Sequence, residues 1–246
     1  MTEYNNDLLV IGSGPGGQSA ALQAASLGKR VGLVERKPYL GGVSLQTGTI
    51  PSKALREAAY LASRFSSRGM RDAVHIRDQQ HSGFLSEAVG RKQAVIDRHE
   101  RLLLNQLMSH GVTLLPGEAG FIDAHTLNLR NVNSEAVQLS AAVIVLATGS
   151  RPRRPADVPF DKERVLDSTS ILQMRRLPRR MTIIGGGVIA CEFATIFAPL
   201  GVTVSLVDSH DHLLAYLDED IQQTLEHDLL DTGVQLHMQT RIKQIE

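Results

Sequence analysis

The stretch LLVIGSGPGGQSAALQAASLGKRVGLVE (residues 8–35) decides the fold, because the chain repeats its pattern as MTIIGGGVIACEFATIFAPLGVTVSLVD (residues 181–208), 173 positions later. The two copies share glycines, apolar residues and a final acid at matching positions. Gly12, Gly14 and Gly17 align with Gly185, Gly187 and Ala190, Gly28 aligns with Gly201, and Glu35 aligns with Asp208. Because so many demanding positions rarely coincide by chance, we infer an internal duplication.

Each copy has the pattern of a βαβ unit. A short apolar run leads through a glycine-rich turn into a helix of about four turns, which ends at a glycine before a second apolar run. In such a unit the first glycine permits the tight turn and the second lets a pyrophosphate approach the backbone, while the third small residue lets helix and strand pack closely. The diphosphate lies at the helix N-terminus, where unpaired N–H groups favour an anion.

Each copy also ends at a carboxylate placed where a ribose-binding acid is expected. Glu35 and Asp208 lie 18 residues beyond the third small residue, near the spacing of about 20 in dinucleotide-binding units. Two such sites in one chain indicate an oxidoreductase with FAD at one site and a nicotinamide nucleotide at the other. We therefore predict cofactor contacts at the small residues and the acid of each copy: Gly12, Gly14, Gly17, Glu35, Gly185, Gly187, Ala190 and Asp208.

Composition limits the classes of function. With 26 basic and 26 acidic residues the formal net charge is zero, so nothing favours nucleic acid or an anionic membrane as the main partner. The N-terminus lacks the basic and apolar regions of a secretory signal, and no apolar run reaches the length of a membrane span, about 20 residues. Cys191 is the only cysteine, so an intrachain disulfide is impossible. We expect a soluble protein of the reducing cytoplasm.

The segments around and between the two copies indicate further helices and strands and a boundary between two domains. They predict a helix over 48–65, a polar surface loop over 66–83, a long amphipathic helix over 85–111, short strands over 112–146, a helix over 218–231 and a strand over 234–238. A turn and a crossover rich in Pro and Arg, ATGSRPRRPA (147–156), separate the domains. We predict an α/β protein with two Rossmann-like three-layer domains, an FAD-binding domain over 1–150 and an incomplete NAD(P)-binding domain over 151–246.

Four motifs in this order resemble the pyridine nucleotide–disulfide oxidoreductase family across essentially the whole chain. They are GSGPGG (12–17), GGVSLQTGTIPSK (41–53), ATGSRP (147–152) and GGGVIACE (185–192). The resemblance implies FAD on the first copy and NAD(P)H on the second. It also implies that Gly42, Ser44 and Gly149 lie against the FAD.

The chain departs from this family at its redox centre. The disulfide enzymes of the family need CxxxxC, whereas Ser44 and Thr49 stand at those positions here. Hydroxyls form neither a disulfide nor a stabilised thiolate at neutral pH, so the family's thiol route is excluded. Electrons that reach a flavin beside Ser44 and Thr49 leave as hydride, or singly to an acceptor such as oxygen or a quinone.

A subgroup of the family has the same substitution. GTIPSKALR (48–56) resembles the signature of the soluble, Si-specific NAD(P) transhydrogenases, which have threonine in place of the second cysteine. The implied activity is hydride exchange between NADPH and NAD through flavin N5. An alternative is that Ser44 and Thr49 record the decay of a former disulfide enzyme.

Two charged residues are the catalytic candidates. The resemblance implies that Lys53 points at flavin N5 and pairs with Glu192, and that the ammonium stabilises negative charge on the flavin. The alternative is an ordinary helix salt bridge or two unrelated surface charges. Cys191 is interpreted as a small packing residue, and the nine histidines show no metal-ligand spacing.

The sequence leaves open which nicotinamide nucleotide is preferred and whether this chain is the whole enzyme. Asp208 should accept the 2′-hydroxyl of NAD(H) and repel the 2′-phosphate of NADP(H), and no phosphate clamp is evident unless His210 or His212 contributes. The alternative functions are an NAD(P)H diaphorase or oxidase, and a catalytically silent nucleotide-binding fragment that pairs with a C-terminal half. In the family the NAD domain continues and a dimerisation domain follows, so we expect a homodimer for the full-length form and an N-terminal half in this chain.

Overall fold

The structure of this chain is a computed structural model that describes residues 4–67, 77–131, 136–174 and 176–245, with side chains for all of these except 62–67 and 77–89. The chain divides into two compact units. Unit 1 comprises residues 1–51 and 93–151, and unit 2 comprises residues 52–92 and 152–246. Each unit contains one copy of the duplicated stretch.

Unit 1 is built on a six-stranded sheet in the order β3-β2-β1-β6-β5-β4. Its strands are β1 (Asn6–Ile11), β2 (Val31–Glu35), β3 (Thr113–Pro116), β4 (Glu118–Phe121), β5 (Thr126–Arg130) and β6 (Val137–Leu146). Helix α1 (Pro15–Ser26) connects β1 to β2, and a short helix α2 (Gly42–Gln46) follows β2.

Strand β1 lies at the centre of this sheet. It pairs in parallel with β2 on one side and with residues 141–146 of β6 on the other. The first half of β6 pairs with β5 in antiparallel orientation, so one long strand joins a parallel and an antiparallel ladder. The chain order reverses beside β1, and ligands of open α/β sheets bind at such a reversal, beyond the carboxyl ends of the strands.

Unit 2 contains a three-stranded parallel sheet in the order β7-β8-β9. Its elements are β7 (Arg180–Ile184), α5 (Val188–Phe197), β8 (Thr203–Val207), α6 (Glu219–Asp231) and β9 (Gln235–His237). Leu55, Ala58 and Ala59 belong to the same buried core as α5 and β8. They lie in α3 (Thr49–Ser67), which begins at the end of the first segment of unit 1 and continues in unit 2.

The α/β, Rossmann-like fold class is confirmed, as are the predicted strands and helices of both copies. The predicted loop over 66–83 is wrong where it is described, because α3 runs to Ser67 and α4 (Arg77–Ser109) begins earlier than expected. Residues 68–76 lie outside the described residues. A single glycine costs a helix only about 1 kcal/mol, so polarity and Gly83 do not suffice to end α4.

Among the described residues, none of the helices is both long enough and apolar enough to cross a membrane.

Candidate functional site

The glycine-rich turn of unit 1 is closed by contacts that only glycine permits. Gly12 has φ +106°, and its N–H donates to the carbonyl of Val34 at 2.8 Å. A Cβ at Gly12 would lie 2.3 Å from the carbonyl oxygen of Ala147, and a Cβ at Gly17 would lie 1.9 Å from that of Gly12. Real Cβ atoms do not approach so closely, so helix α1, the turn and the loop after β6 are in direct backbone contact.

The N-terminus of α1 faces open space. Gly14 is its N-cap with φ −66° and ψ 174°, Pro15 follows at the first position, and the first turn contains no acidic residue. Apart from Gly14 itself and its chain neighbours, no heavy atom of the described residues lies within 4 Å of a Cβ built on Gly14. Free N–H groups beside such a space form an anion site, so the turn fits the pyrophosphate of a dinucleotide.

Glu35 is tied into this turn through its carboxylate. Its Oε2 accepts hydrogen bonds from the N–H and the Oγ of Ser13, at 3.0 and 2.6 Å, and its Oε1 accepts from the N–H of Lys37 at 2.9 Å. Ser13 is fully buried and its Oγ accepts from the N–H of Gly41 at 3.1 Å. Ser13 therefore joins the turn, the acid and the next loop. Glu35 as a ribose ligand stays a prediction.

Sequence reasoning missed Ser13, because it considered only the glycines of GSGPGG. The available signal was a polar residue between the first two glycines, 22 residues before the acid. Glu100 was missed too. Its carboxylate accepts from the N–H of Leu40 at 2.7 Å and from the amide of Gln46 at 3.4 Å, which fixes both ends of the 40–46 turn. The sequence carried no local signal for a contact over that separation.

The other predicted flavin contacts of unit 1 lie on loops and helix ends. Gly42 has φ +56°, and a Cβ there would lie 2.9 Å from Cα of Gly14, so the structure brings these two glycines together. Ser44 is half-buried in α2, and Thr49 is exposed at the first residue of α3. Gly149 is exposed after β6, with φ +66°. Their contacts with a flavin stay predictions.

The turn of unit 2 repeats the frame of unit 1. Gly185 has φ +104°, and its N–H donates to the carbonyl of Val207 at 2.8 Å. Gly187 is the N-cap of α5, with φ −82° and ψ 178°. The N–H of Gly186 donates to Oδ2 of Asp208. Each of these bonds has its counterpart 173 positions earlier in unit 1.

Asp208 has one contact that its counterpart lacks among the described residues. Its Oδ1 accepts from the N–H of His210 at 2.7 Å, as Glu35 does from Lys37, and also from the His210 ring Nδ1 at 2.6 Å. Burial acts to raise the pKa of Asp208. The hydrogen bonds from His210 and Gly186 outweigh burial, so the pKa lies below its ordinary value. Asp208 is therefore an ionised acceptor at neutral pH.

Unit 2 also brings Lys53 and Glu192 together. The Lys53 ammonium forms an ion pair with Oε1 of Glu192, and the hydroxyl of Ser52 donates to the same oxygen at 3.1 Å. The Lys53 side chain is 57% exposed, whereas that of Glu192 is 19% exposed. The carboxylate is therefore fixed from two sides, while the ammonium stays accessible to a ligand. Sequence reasoning missed Ser52, which is buried between Pro51 and Lys53 in TIPSK.

Cys191 packs beneath the turn of unit 2. It is buried in α5, and its Sγ lies 3.8 Å from the carbonyl oxygen of Gly186. Burial, with smaller effects from the charges of Asp208 and Glu226, raises the pKa of the thiol. A buried thiol with a raised pKa has little thiolate character, which supports the packing interpretation.

Comparisons with known proteins identify relatives of this chain. The family model described as "Pyridine nucleotide-disulphide oxidoreductase" matches residues 6–246. The chain is 42% identical over 236 residues to the soluble pyridine nucleotide transhydrogenase of Mycobacterium bovis (strain BCG / Pasteur 1173P2), an alignment that covers 95% of this chain and 49% of that protein. For the protein of the same name from Vibrio parahaemolyticus the values are 39% over 247 residues, 100% and 52%. The chain therefore spans about half the length of the curated relatives it matches.

Solved structures share the fold. LpdA from Mycobacterium tuberculosis superposes with a TM-score of 0.84 at 28% identity, covering 96% of this chain and 52% of that chain. The Cu(II) complex of the HOCl-induced flavoprotein disulfide reductase RclA from Escherichia coli gives 0.81 at 27% identity, covering 100% and 51%.

Proposed function

This chain belongs to the pyridine nucleotide-disulphide oxidoreductase family, and from that membership we propose that it forms the FAD-binding and nicotinamide-binding half of a soluble transhydrogenase. Such an enzyme exchanges hydride between NADPH and NAD through flavin N5 and uses no redox-active disulfide. The relatives named as transhydrogenases support the proposal. RclA is named a disulfide reductase, so the residues at positions 44 and 49 separate the two chemistries.

One observation carries the proposal: the chain has two nucleotide-binding frames and no dithiol. The turns at Gly12 and Gly185 have φ of +106° and +104°, and each of these two glycines donates the same backbone hydrogen bond to the end of the next strand. Ser44 and Thr49 carry hydroxyls, and the only thiol, Cys191, is buried in α5. With no thiol pair to relay electrons to a disulfide, the exchange of hydride between nicotinamides is the reaction that this set of residues supports best.

Unit 1 has the residues to hold FAD. The open N-terminus of α1 at Gly14 fits its pyrophosphate, and the Gly42 backbone lies close enough to border the same space. When bound, FAD supplies a ring nitrogen that accepts and returns a hydride. The role of unit 1 is to position that ring and exclude water from it.

Lys53 and Glu192 are the residues that we propose to act at the reacting rings. The ammonium provides fixed positive charge, which stabilises negative charge that develops nearby in a water-excluded site. Glu192 holds the ammonium in place, and Ser52 holds Glu192 through its 3.1 Å hydrogen bond. The carboxylate also offsets the cost of removing the ammonium from water when a ring covers it.

Unit 2 takes NAD(H) and NADP(H) in turn. Their diphosphate would lie at the N-terminus of α5 beyond Gly187, and Asp208 would face the ribose. For the whole enzyme we propose a cytoplasmic homodimer, as in the family. The single, buried Cys191 is compatible with a reducing compartment.

The first test separates transhydrogenase from oxidase activity. The 246-residue chain, loaded with FAD, is mixed anaerobically with NADPH and thio-NAD, and oxygen uptake with NADH is measured separately. Thio-NADH formation without oxygen uptake supports the proposal. Oxygen uptake without hydride transfer identifies a diaphorase or oxidase, and neither reaction in an FAD-loaded chain identifies a silent nucleotide-binding fragment.

The second test addresses Lys53. Lys53→Met should leave FAD affinity unchanged and slow the loss of flavin absorbance after mixing with NADPH by roughly a hundredfold, the size of effect expected for one preorganised electrostatic group. Arg56→Met is the matched control, since it removes a cation three positions further along α3. Stopped-flow rates for Lys53→Met equal to those of the control would remove Lys53 from the mechanism.

A further inference from the structure

The turn after β8 places the His210 ring against Asp208, the acid that we propose to face the ribose. We propose that His210 determines how unit 2 chooses between NAD(H) and NADP(H), because its ring offsets the charge of Asp208 and presents its second nitrogen to a 2′-phosphate. The inference rests on the proposed nucleotide role of unit 2. It adds the residue that lets one site accept both coenzymes.

An acid at the end of the second strand creates a conflict for a transhydrogenase. A free carboxylate accepts the 2′-hydroxyl of NAD and repels the 2′-phosphate of NADP. Asp208 is 12% exposed at its side chain, and three donors already bind it: the Gly186 N–H at Oδ2, and the His210 N–H and ring Nδ1 at Oδ1. Since a carboxylate has about four acceptor positions, one position at Oδ2 stays available for a ribose hydroxyl.

The ring is oriented by its contact with the acid. Because ionised Asp208 only accepts, Nδ1 of His210 carries the hydrogen in the 2.6 Å contact. Nε2 has no hydrogen-bond partner among the described residues, and the side chain is 67% exposed. The ring therefore presents Nε2 outward, where a 2′-phosphate could bind. An imidazole that carries hydrogen on both nitrogens can donate to both anions at once.

Comparison of the two copies shows that the ring contact is an addition to the common frame. Lys37 takes the place of His210 in unit 1, and its N–H donates to Glu35 at 2.9 Å just as the N–H of His210 donates to Asp208. Within the described part of the chain, the Lys37 side chain makes no bond to Glu35. The backbone bond alone therefore suffices to build the turn, and the His210 ring is available for another purpose.

The second histidine of this loop is held elsewhere. Nδ1 of His212 lies 3.3 Å from Oε1 of Glu226 in α6, and the same oxygen accepts from the N–H of Leu213 at 2.9 Å. His212 is thus a loop imidazole with its own carboxylate partner, two positions from His210. This makes it the matched control.

The test measures binding with probes that need neither FAD nor turnover. Isothermal titration calorimetry gives the affinities of the 246-residue chain for 2′,5′-adenosine diphosphate and for 5′-AMP at neutral pH. His210→Asn should lower the affinity for 2′,5′-adenosine diphosphate relative to the affinity for 5′-AMP. This ratio should fall by roughly tenfold, the value of one charge-assisted contact. His210→Lys, which keeps a cation, should retain or raise the ratio, and His212→Asn should leave it unchanged.

Each other outcome overturns the inference. An unchanged ratio in His210→Asn removes the ring from recognition, and an equal loss in His212→Asn assigns the effect to general loop charge. If neither probe binds, the nucleotide role of unit 2 falls as well. A separate result is a chain that binds both probes and shows the His210 effect but fails to transfer hydride. That result would contradict the proposed function and leave the inference about His210 intact.

Discussion

The two copies of the βαβ unit have the same turn but different surroundings. Gly12 and Gly185 have φ of +106° and +104°, and both donate to the carbonyl at the end of the next strand at 2.8 Å. A Cβ at Gly12 would meet Ala147 at 2.3 Å. Around a Cβ at Gly185, by contrast, no heavy atom of the described residues lies within 4 Å apart from Gly185 itself and its chain neighbours. This difference in enclosure comes from β6, because the residue directly after this strand, Ala147, lies against the turn of unit 1.

The same difference appears in the strands that precede the turns. β1 is paired on both sides, and its Leu9 is fully buried. β7 is an edge strand of the described sheet, where the counterpart of Leu9 is the exposed Thr182 and Ile184 is 55% exposed. The comparison teaches that local sequence sets the geometry of the turn, whereas the neighbouring strand sets how tightly the turn is enclosed.

The largest expected effect tests how closely α1 approaches its turn. Gly17→Ala would place a Cβ 1.9 Å from the Gly12 carbonyl oxygen, which should lower the free energy of unfolding of unit 1 by about 3 kcal/mol or more. Unit 2 already has alanine at this position, so Ala190→Gly should cost only about 1 kcal/mol. Urea denaturation measures both changes.

The control for this substitution is one residue away. Gly16 lies in α1, and apart from its chain neighbours and the backbone of α1 no heavy atom of the described residues lies within 4 Å of a Cβ built there. Gly16→Ala should therefore be neutral or stabilise by about 0.5 kcal/mol through helix propensity. Equal destabilisation by Gly16→Ala and Gly17→Ala would show that the close contact is not what matters.

The next prediction isolates the cover provided by β6. Gly12→Ala and Gly185→Ala both strain a backbone with positive φ, which costs about 1–2 kcal/mol. Only at Gly12 does the new Cβ also meet Ala147, at 2.3 Å, so this variant should lose about 2 kcal/mol more than the other. Urea midpoints that fall equally for the two variants would contradict the proposed effect of β6.

A smaller effect concerns pH and the acid of unit 2. Burial acts to raise the pKa of Asp208, but hydrogen bonds to its carboxylate lower the pKa by more. A depressed folded pKa stabilises the fold above the unfolded value, about 3.9, and this stabilisation is lost as pH falls through the folded value. Asp208→Asn should therefore reduce the free energy of unfolding at neutral pH by about 1.5 kcal/mol. In urea melts recorded over a pH series, the variant should lose less stability than the original chain as the pH falls into the acid range. An equal loss in the two proteins would contradict the predicted role of the Asp208 carboxylate.

The smallest expected effect concerns the edge of β7. Ile184→Thr should change the free energy of unfolding by less than about 0.5 kcal/mol, because the side chain is largely exposed. Ile11→Thr, at the matching but half-buried position of β1, should cost about 1 kcal/mol. Thermal unfolding compares the two, and a larger loss for Ile184→Thr would mean that the edge of β7 is covered.

Prediction of the fold from the sequence succeeded where the signal was local. The glycines, the apolar runs and the acid of each copy lie within one βαβ unit, and their spacing follows from the geometry of a turn and a helix. Prediction failed at residues 66–67 and 77–83, the described parts of the expected loop, because polar composition does not end a helix. It also missed Ser13 and Ser52, whose hydroxyls bind acids 22 and 140 positions away.

The sequence by itself determined the duplication and the absence of a dithiol at Ser44 and Thr49, since both are properties of residue type and spacing. Only the tertiary structure decided the enclosure of Gly12 by Ala147 and the contact of the His210 ring with Asp208. It also provides the Ser52 bond that fixes Glu192. The physical reason is that backbone turns obey local steric rules, whereas a side-chain contact depends on where the folded chain brings distant residues and which rotamer fits there.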